Sequence, residues 1–320
     1  MLTEKTGFLQ RREPRPIRLT TGPLQFFSAL PSSDSRTLFV VGSQSRGELV
    51  RSESHSREFV PFLSGISVGE LDFSRDAKWV TYVTYPEHVL WRSRIDGTDQ
   101  LQLTYPPVSA SLPRWSPDGS QIAYSAALPG KVLKMFLISA QGGNSEELLG
   151  EDQLEVDASW SPDGSRVAFG RLADASIFIL DLKTRHVSAA PDSNGLFSPR
   201  WSPDGGHLAA LSEDSKRLML FDFKTQKWSE WINETGSVGF PTWSHDGSYL
   251  YYDSTFSDHP TFRRVKVGQT KSEFLLDLKS LHRYGDPLIG TWSGLAPDGS
   301  GLFVRDLSTQ EVYALDLELP

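Results

Sequence analysis

Residues 112–124 read Leu-Pro-Arg-Trp-Ser-Pro-Asp-Gly-Ser-Gln-Ile-Ala-Tyr, and this stretch decides the fold. A short segment ends at Trp115, a Ser-Pro-Asp-Gly turn follows, and an alternating apolar segment begins at Gln121. Proline presets the backbone at the first turn position, and glycine accepts the positive φ at the end of the turn. The stretch therefore predicts a strand, a tight turn and a second strand.

The same motif returns along the chain at nearly constant intervals. Its turn aspartates mark seven copies, separated by 42, 42, 45, 41, 42 and 52 residues. Such a period is that of a four-stranded propeller blade and is too long for ankyrin or leucine-rich repeats. The seven aspartates are Asp34, Asp76, Asp118, Asp163, Asp204, Asp246 and Asp298.

Each period contains short β-branched or aromatic segments separated by Gly, Pro, Asn and Asp, which is typical of all-β proteins. The last copy ends with its third segment, residues 312–317, and segment 16–20 is a strand without a blade. We predict a seven-bladed β-propeller of four-stranded antiparallel blades, in which the N-terminal strand pairs into the last blade and removes an exposed edge. Residues 1–14 are predicted to be an N-terminal tail or truncated linker, and residues 15–320 a single propeller domain.

The composition restricts the classes of function. A net charge of −8 argues against direct nucleic-acid binding by this chain, since such surfaces are basic. Because the chain has no cysteine, a disulfide framework and a cysteine nucleophile are excluded. No apolar run has the length of a membrane span, and the N-terminus lacks a signal-peptide core. As written, the chain is expected to be soluble and cytoplasmic, or periplasmic if it belongs to a longer membrane-anchored protein.

The repeated turn residues are predicted to be structural. Each turn aspartate can accept hydrogen bonds from backbone amides just beyond it, and the motif tryptophan can fill the gap between neighbouring twisted blades. Seven symmetric carboxylates suit a framework role better than seven active sites.

Two patterns of catalytic residue types lack the context that catalysis requires. Residues 65–69 match Gly-x-Ser-x-Gly, but a nucleophile elbow needs a helix after it, and a strand is expected there. The seven histidines are scattered over the repeats without metal-ligand spacing, so no catalytic residue, metal or cofactor is predicted. The alternative is a metal-dependent propeller enzyme of the lyase or lactonase type, with its site assembled in the central channel.

The Trp-Ser-Pro-Asp-Gly turn and the apolar strand after it resemble the TolB-like, WD40-like propeller repeat over nearly the whole chain. Residues 91–97, followed by residues 101–104, add to this resemblance. TolB itself has six blades and an N-terminal α/β domain, and neither matches the organisation predicted here. A further resemblance is to the C-terminal propellers of bacterial winged-helix sensor-regulators, which implies a sensory domain; DNA binding is not carried over.

We therefore expect a monomeric, non-enzymatic binding or scaffold module that recognises a protein, a peptide or another ligand across its loop face. Long loops are the first candidates for such a face. The 52-residue interval contains one, residues 279–292; residues 256–260 form a second, and the acidic residues 150–157 form a third. The predicted binding residues are His282, Arg283, Tyr284, Asp286, Trp292, Asp258 and His259.

Overall fold

A computed structural model describes residues 24–53, 58–150, 154–171, 173, 175–254, 257–286 and 289–316. Every helix or strand in this part of the chain is a β-strand, which confirms the all-β prediction. The chain divides into two compact units, and the larger one comprises residues 46–307. The smaller unit comprises the described parts of residues 1–45 and 308–320.

The smaller unit is a three-stranded antiparallel sheet. Its middle strand is β2 (Thr37–Gln44), which pairs with β1 (Gln25–Pro31) on one side and with the last strand of the chain, β27 (Thr309–Asp316), on the other. The ladder between β2 and β27 runs over eight residue pairs, from Thr37 opposite Asp316 to Gln44 opposite Thr309.

The larger unit consists of six four-stranded antiparallel sheets, which we number as blades 1–6 in the order of their first strands. Blade 1 contains β5 (Val68–Phe73), β6 (Trp79–Thr84), β7 (Val89–Arg94) and β8 (Leu101–Gln102); blade 2 contains β9 (Ser109–Trp115), β10 (Gln121–Ala127), β11 (Lys134–Ser139) and β12 (Glu146–Glu147). Blade 3 contains β13 (Glu155–Trp160), β14 (Arg166–Arg171), β15 (Ser176–Asp181) and β16 (Val187–Ala189); blade 4 contains β17 (Leu196–Trp201), β18 (His207–Ser212), β19 (Arg217–Asp222) and β20 (Lys227–Asn233). Blade 5 contains β21 (Gly239–Trp243), β22 (Tyr249–Asp253), β23 (Thr261–Lys266) and β24 (Ser272–Asp277); blade 6 contains β25 (Ser293–Leu295), β26 (Gly301–Asp306), β3 (Gly47–Ser52) and β4 (Phe59–Pro61).

The first strands of the six blades form a ring. Each contacts the next, from β5 through β9, β13, β17, β21 and β25 and back to β5. The larger unit is therefore a closed β-propeller, and its first strands surround a central channel. The described chain has seven antiparallel sheets, as predicted, and six of them form the closed ring of residues 46–307.

The closure of the ring in blade 6 differs from the prediction. Its third strand is β3, with Leu302 opposite Arg51, whereas residues 312–317 were predicted to take this place. Burial explains the difference, because a third strand packs on both faces. In β3, Leu49 and Val50 are buried, whereas Val312 in β27 is 74% exposed. The predicted closing strand at residues 16–20 and the predicted tail at residues 1–14 lie outside the described residues.

The motif turns share one hydrogen-bond pattern. In all seven copies the aspartate accepts a bond from the backbone amide two residues later, as predicted. In six copies a serine two residues earlier donates its hydroxyl to the same carboxylate. At Asp163 these bonds measure 2.6 Å from Ser161 Oγ and 3.1 Å from the Ser165 amide. Because they favour the charged carboxylate, they lower the pKa of Asp163 to about 2.

The motif tryptophans pack between blades, as predicted. Trp160 shares a core cluster with Leu137 of blade 2 and Val167 of blade 3. Its indole Nε1 donates a hydrogen bond of 3.2 Å to the Arg114 carbonyl of the preceding blade. Trp243 makes the equivalent bond to its own preceding blade, at 3.0 Å. The flat ring thus fills the interface and satisfies its one polar atom there.

Replacing Asp163 by Asn tests the turn. A pKa lowered from about 3.9 in the unfolded chain means that the carboxylate stabilises the fold above about pH 4. This stabilisation is lost as the pH falls toward the folded-state pKa of about 2. Urea midpoints should therefore differ between wild type and Asp163→Asn at pH 5 and converge near pH 2. The control is Asp258→Asn, in an exposed loop outside the motif; a gap between wild type and Asp163→Asn that stays constant with pH would contradict the assignment.

Candidate functional site

The innermost strands of blades 2–5 carry a bulge just before the motif tryptophan. At each bulge one residue has a positive φ, between 48° and 63°. A bulge adds a residue to one strand and re-aims its side chains. The bulge residues are Leu112, Asp157, Ser198 and Phe240.

Two cavities occupy the region enclosed by these strands. The first lies where the innermost strands end in the motif turns, and we call it the turn-end cavity. It has a volume of about 330 Å³ and is lined by the motif tryptophans, by turn prolines and by the residues just before the tryptophans. The second lies toward the start of these strands, and we call it the start-end cavity. It has a volume of about 280 Å³ and is lined by the four bulge residues and by residues from neighbouring loops and strands. Phe240 lines both cavities.

A buried ion network connects the walls of the two cavities. Asp157 Oδ1 lies 2.9 Å from Arg200 Nη1 and 3.3 Å from Arg114 Nη2, and Ser198 Oγ donates to Asp157 Oδ2 at 2.5 Å. Burial by itself raises the pKa of Asp157, but the two guanidinium groups hold it below its ordinary value. The negative charge of Asp157 is therefore compensated by two arginines, and its contacts connect blades 2, 3 and 4.

A second buried carboxylate, Glu70, connects blades 1 and 2. Its Oε1 accepts a hydrogen bond of 2.8 Å from the Tyr85 hydroxyl, and its Oε2 accepts one from the Leu112 amide. Burial raises the pKa of Glu70 to about 7, against the opposing effect of these two bonds. The Tyr85 ring also packs edge-on against His88, whose Nε2 lies 4.0 Å from Asp286 Oδ2.

The rim of the turn-end cavity is built by contacts between consecutive turns. In three junctions the turn glycine lies against the turn proline of the preceding blade, so that a β-carbon on Gly205 would lie 3.2 Å from the Pro162 ring. The positive φ of these glycines adds a second reason for their identity. The three pairs are Pro117 with Gly164, Pro162 with Gly205, and Pro203 with Gly247.

Two turns of the ring lack this proline. Arg75 occupies its place in blade 1 and His245 in blade 5, and both residues are exposed. Within the described part of the chain, a β-carbon on Gly119 or Gly299, the glycine of the following turn, would meet no atom within 4 Å. A further cavity of about 490 Å³ lies at the first of these open junctions and is lined by Arg75 and Gly119 among others. The rim is thus interlocked on one side and open where Arg75 or His245 replaces proline.

Unused hydrogen-bonding groups lie in the wall of the turn-end cavity. Trp115 and Ser293 line the cavity, and their buried Nε1 and Oγ atoms have no hydrogen-bond partner among the described residues. Trp160 and Trp243, by contrast, use their Nε1 atoms between blades. Arg75 likewise makes no ion pair within the described ranges. A ligand can therefore supply acceptors that the protein does not.

The predicted loop residues have different surroundings. Arg283 has a side chain that is 6% exposed, pairs with Asp253 at 2.7 Å and donates to the carbonyl oxygens of Thr291 and Trp292. This arrangement holds the inserted loop, whose described residues are 278–286 and 289–292 between β24 and β25, against blade 5. The side chain of His282 is 85% exposed and lies 3.9 Å from Asp306.

The other predicted residues are divided between core and surface. Trp292 is buried, and Tyr284 packs against the same core cluster. Asp286 is buried, and its Oδ1 accepts a bond from the Ile289 amide at 3.1 Å. Asp258 and His259 are exposed on a separate loop after β22. The structure brings Arg283, Tyr284 and Trp292 together and leaves His282 accessible.

The structure also tests two other predictions from the sequence. The acidic residues Glu155 and Asp157 were expected in an exposed loop, but both are buried in β13, where Asp157 is paired with arginines. Residues 151–153 of that stretch lie outside the described ranges. The Gly-x-Ser-x-Gly segment is a linker, as predicted, since β5 begins at Val68 and Ser67 Oγ accepts a bond of 3.0 Å from the Gly47 amide.

Sequence reasoning did not select Arg75 or Trp115 as site residues. Arg75 was identifiable as a departure from the proline that the motif repeats, as was His245. The unused Nε1 of Trp115 has no sequence signal, because Trp160 and Trp243 stand at the same motif position and use theirs. Within the described ranges, no group of three or more His, Cys, Asp or Glu side chains is arranged to hold a metal ion.

A ring of blades built on Trp-Ser-Pro-Asp-Gly turns gives this chain the fold of a TolB-like β-propeller. A putative TolB from Agrobacterium tumefaciens is similar with a TM-score of 0.66 and 17% identity, over 82% of this chain and 99% of that one. An oligogalacturonate lyase from Vibrio parahaemolyticus is similar with a TM-score of 0.58 and 12% identity, over 89% and 97%. A chain of a nidogen/laminin complex is similar with a TM-score of 0.57 and 10% identity, over 72% and 93%.

At these identities the similarity concerns the fold alone. The chain matches no protein-family model and no curated protein. None of the described residues forms a helix long and apolar enough to span a membrane.

Glu70→Gln tests the buried carboxylate. A folded-state pKa of about 7 lies above the ordinary value of about 4.3, so the native state binds the proton more tightly than the unfolded chain. Wild-type stability should therefore fall relative to Glu70→Gln as the pH rises from 5 to 8, by roughly 3 kcal/mol. The measurement is urea unfolding at each pH, with Glu273→Gln at an exposed ion pair as control. A pH-independent difference between wild type and Glu70→Gln would contradict the raised pKa.

Proposed function

We propose that this propeller is a non-enzymatic binding module whose turn-end cavity takes a carboxylate-bearing peptide segment of a partner protein. The observation that carries the proposal is the set of donors without partners in the described chain: Arg75 at the open rim and Trp115 Nε1 inside. Carboxylate oxygens are acceptors only, and bonds between charged groups are the stronger ones.

The charge of the cavity supports an anionic ligand. The chain carries a net charge of −8, yet Arg75, Arg114 and Arg200 line the cavity. Arg114 and Arg200 share the single carboxylate of Asp157, so their network keeps one positive charge in excess, and Arg75 adds a second. The other carboxylate in the wall is Asp72, and burial raises its pKa. A cavity with excess positive charge favours anions over cations.

The shape of the wall supports a peptide. Edges of four motif tryptophans and three turn prolines give the cavity flat apolar surfaces between its cationic groups. Aromatic walls with a few polar groups are typical of ligand sites, and tryptophan and arginine are enriched where proteins bind one another. The nidogen/laminin neighbour is part of a protein complex, which is in keeping with a binding role for the fold.

A metal-dependent lyase is the alternative function. The neighbour from Vibrio parahaemolyticus acts on oligogalacturonate by its name, and a second such lyase is recorded in complex with manganese. A polyuronate also carries carboxylates, so the cationic wall suits it as well. A role as the sensory domain of a bacterial regulator also stays a prediction, since ligand binding is what such a domain requires.

Fluorescence anisotropy with labelled hexaglutamate tests the proposal. Wild type should bind it and should not bind hexalysine. Arg75→Gln should weaken binding about threefold to tenfold, because an exposed guanidinium contributes less than a buried one. His245→Pro should also weaken binding while raising the unfolding temperature, since it restores the turn proline. Arg36→Gln, in a motif turn of the smaller unit, is the matched control and should bind like wild type.

Other results would point elsewhere. Unchanged binding by both Arg75→Gln and His245→Pro would exclude the turn-end rim. Loss of binding in His282→Ala alone would favour the inserted loop that the sequence indicated. Conversion of trigalacturonate to an unsaturated product in the presence of Mn²⁺ would favour the enzyme.

A further inference from the structure

We infer that the start-end cavity is a second binding site, which takes a small neutral molecule with an apolar body and one hydrogen-bonding group. This site is separate from the proposed peptide site. The Asp157 ion network and the Phe240 ring lie at the boundary between the two cavities.

The size and lining of the cavity define the apolar body. Leu112, Val156, Phe197, Val238 and Phe240 contribute most of the apolar wall. A dry apolar cavity of about 150 Å³ holds benzene, so the 280 Å³ found here have room for a substituted six-membered ring. The bulged strands of four consecutive blades contribute to the wall, together with loop residues such as Leu133 and Val238.

The hydrogen-bonding group follows from Ser111. This residue lines the cavity and is 2% exposed, and within the described chain its buried hydroxyl has no hydrogen-bond partner. An unsatisfied buried hydroxyl is costly, and most such groups in native proteins are satisfied by protein, water or ligand. A ligand hydroxyl or carbonyl would remove that cost.

The neutrality of the ligand follows from Asp157. Asp157 is the one charged residue in the described lining of this cavity, and its carboxylate is already compensated by Arg200, Arg114 and the Ser198 hydroxyl. A cationic ligand would have to compete with two arginines, and an anionic ligand would meet this carboxylate across an apolar space. Both charged classes would lose hydration without gaining a partner.

Benzyl alcohol, toluene and benzylammonium are matched probes for this site. Protein-observed NMR titrations should give the lowest Kd for benzyl alcohol, a higher Kd for toluene and the highest Kd for benzylammonium. In Ser111→Ala the preference for benzyl alcohol over toluene should fall about threefold to tenfold, the worth of one hydrogen bond. Leu133→Trp, which fills the cavity from a half-buried position, should remove binding of all three.

Two controls separate this site from the peptide site. Ser293→Ala removes the comparable buried hydroxyl of the turn-end cavity and should leave the three Kd values unchanged. Arg75→Gln should weaken the binding of hexaglutamate and leave the binding of benzyl alcohol unchanged. The proposal for one site can therefore be refuted while the proposal for the other stands. The weakest Kd expected for a ligand of eight heavy atoms is about 10 mM. If benzyl alcohol does not bind at this concentration at 298 K, the inference is wrong. Equal affinity for toluene and benzyl alcohol in wild type would overturn it as well.

Discussion

The ring depends on the pairing of β26 with β3, two strands that lie about 250 residues apart in the chain. Leu302, Phe303 and Val304 are buried in β26, and Leu49 and Val50 are buried opposite them. Closing a long loop has an entropic cost that grows only slowly with loop length, so a well-buried ladder can offset it. With the ring closed, the innermost strands of all six blades surround one channel, and both cavities result from that closure.

Inside the ring, repetition and exception have different roles. The turn aspartates and the serines before them make the same hydrogen bonds in blade after blade, and Trp160 and Trp243 each bond to the preceding blade. Unused bonding capacity remains at Arg75 and His245, which replace the turn proline on the rim, and at the buried Trp115 indole and Ser111 hydroxyl. A symmetric framework thus confines recognition to the asymmetric positions.

Much of the fold was predictable from sequence, because turn chemistry is local. The Pro, Asp and Gly of each turn specify backbone angles and hydrogen bonds within six residues, and the structure confirms them. The closure was not predictable from the strand pattern, since residues 47–52 and 309–316 both form strands and only three-dimensional burial distinguishes them. The roles of charged residues were not predictable for the same reason. Arg283 was expected in a binding loop, but it pairs with Asp253, which lies 30 residues away in the sequence.

Hydrogen–deuterium exchange with and without hexaglutamate tests whether recognition occurs at the turn-end rim. The amides of residues 72–76 and 243–247 belong to the two turns of the ring that lack the proline. We predict slower exchange there on adding the peptide, with no change at residues 280–286. Protection confined to residues 280–286, or protection distributed equally over all six motif turns of the ring, would contradict it.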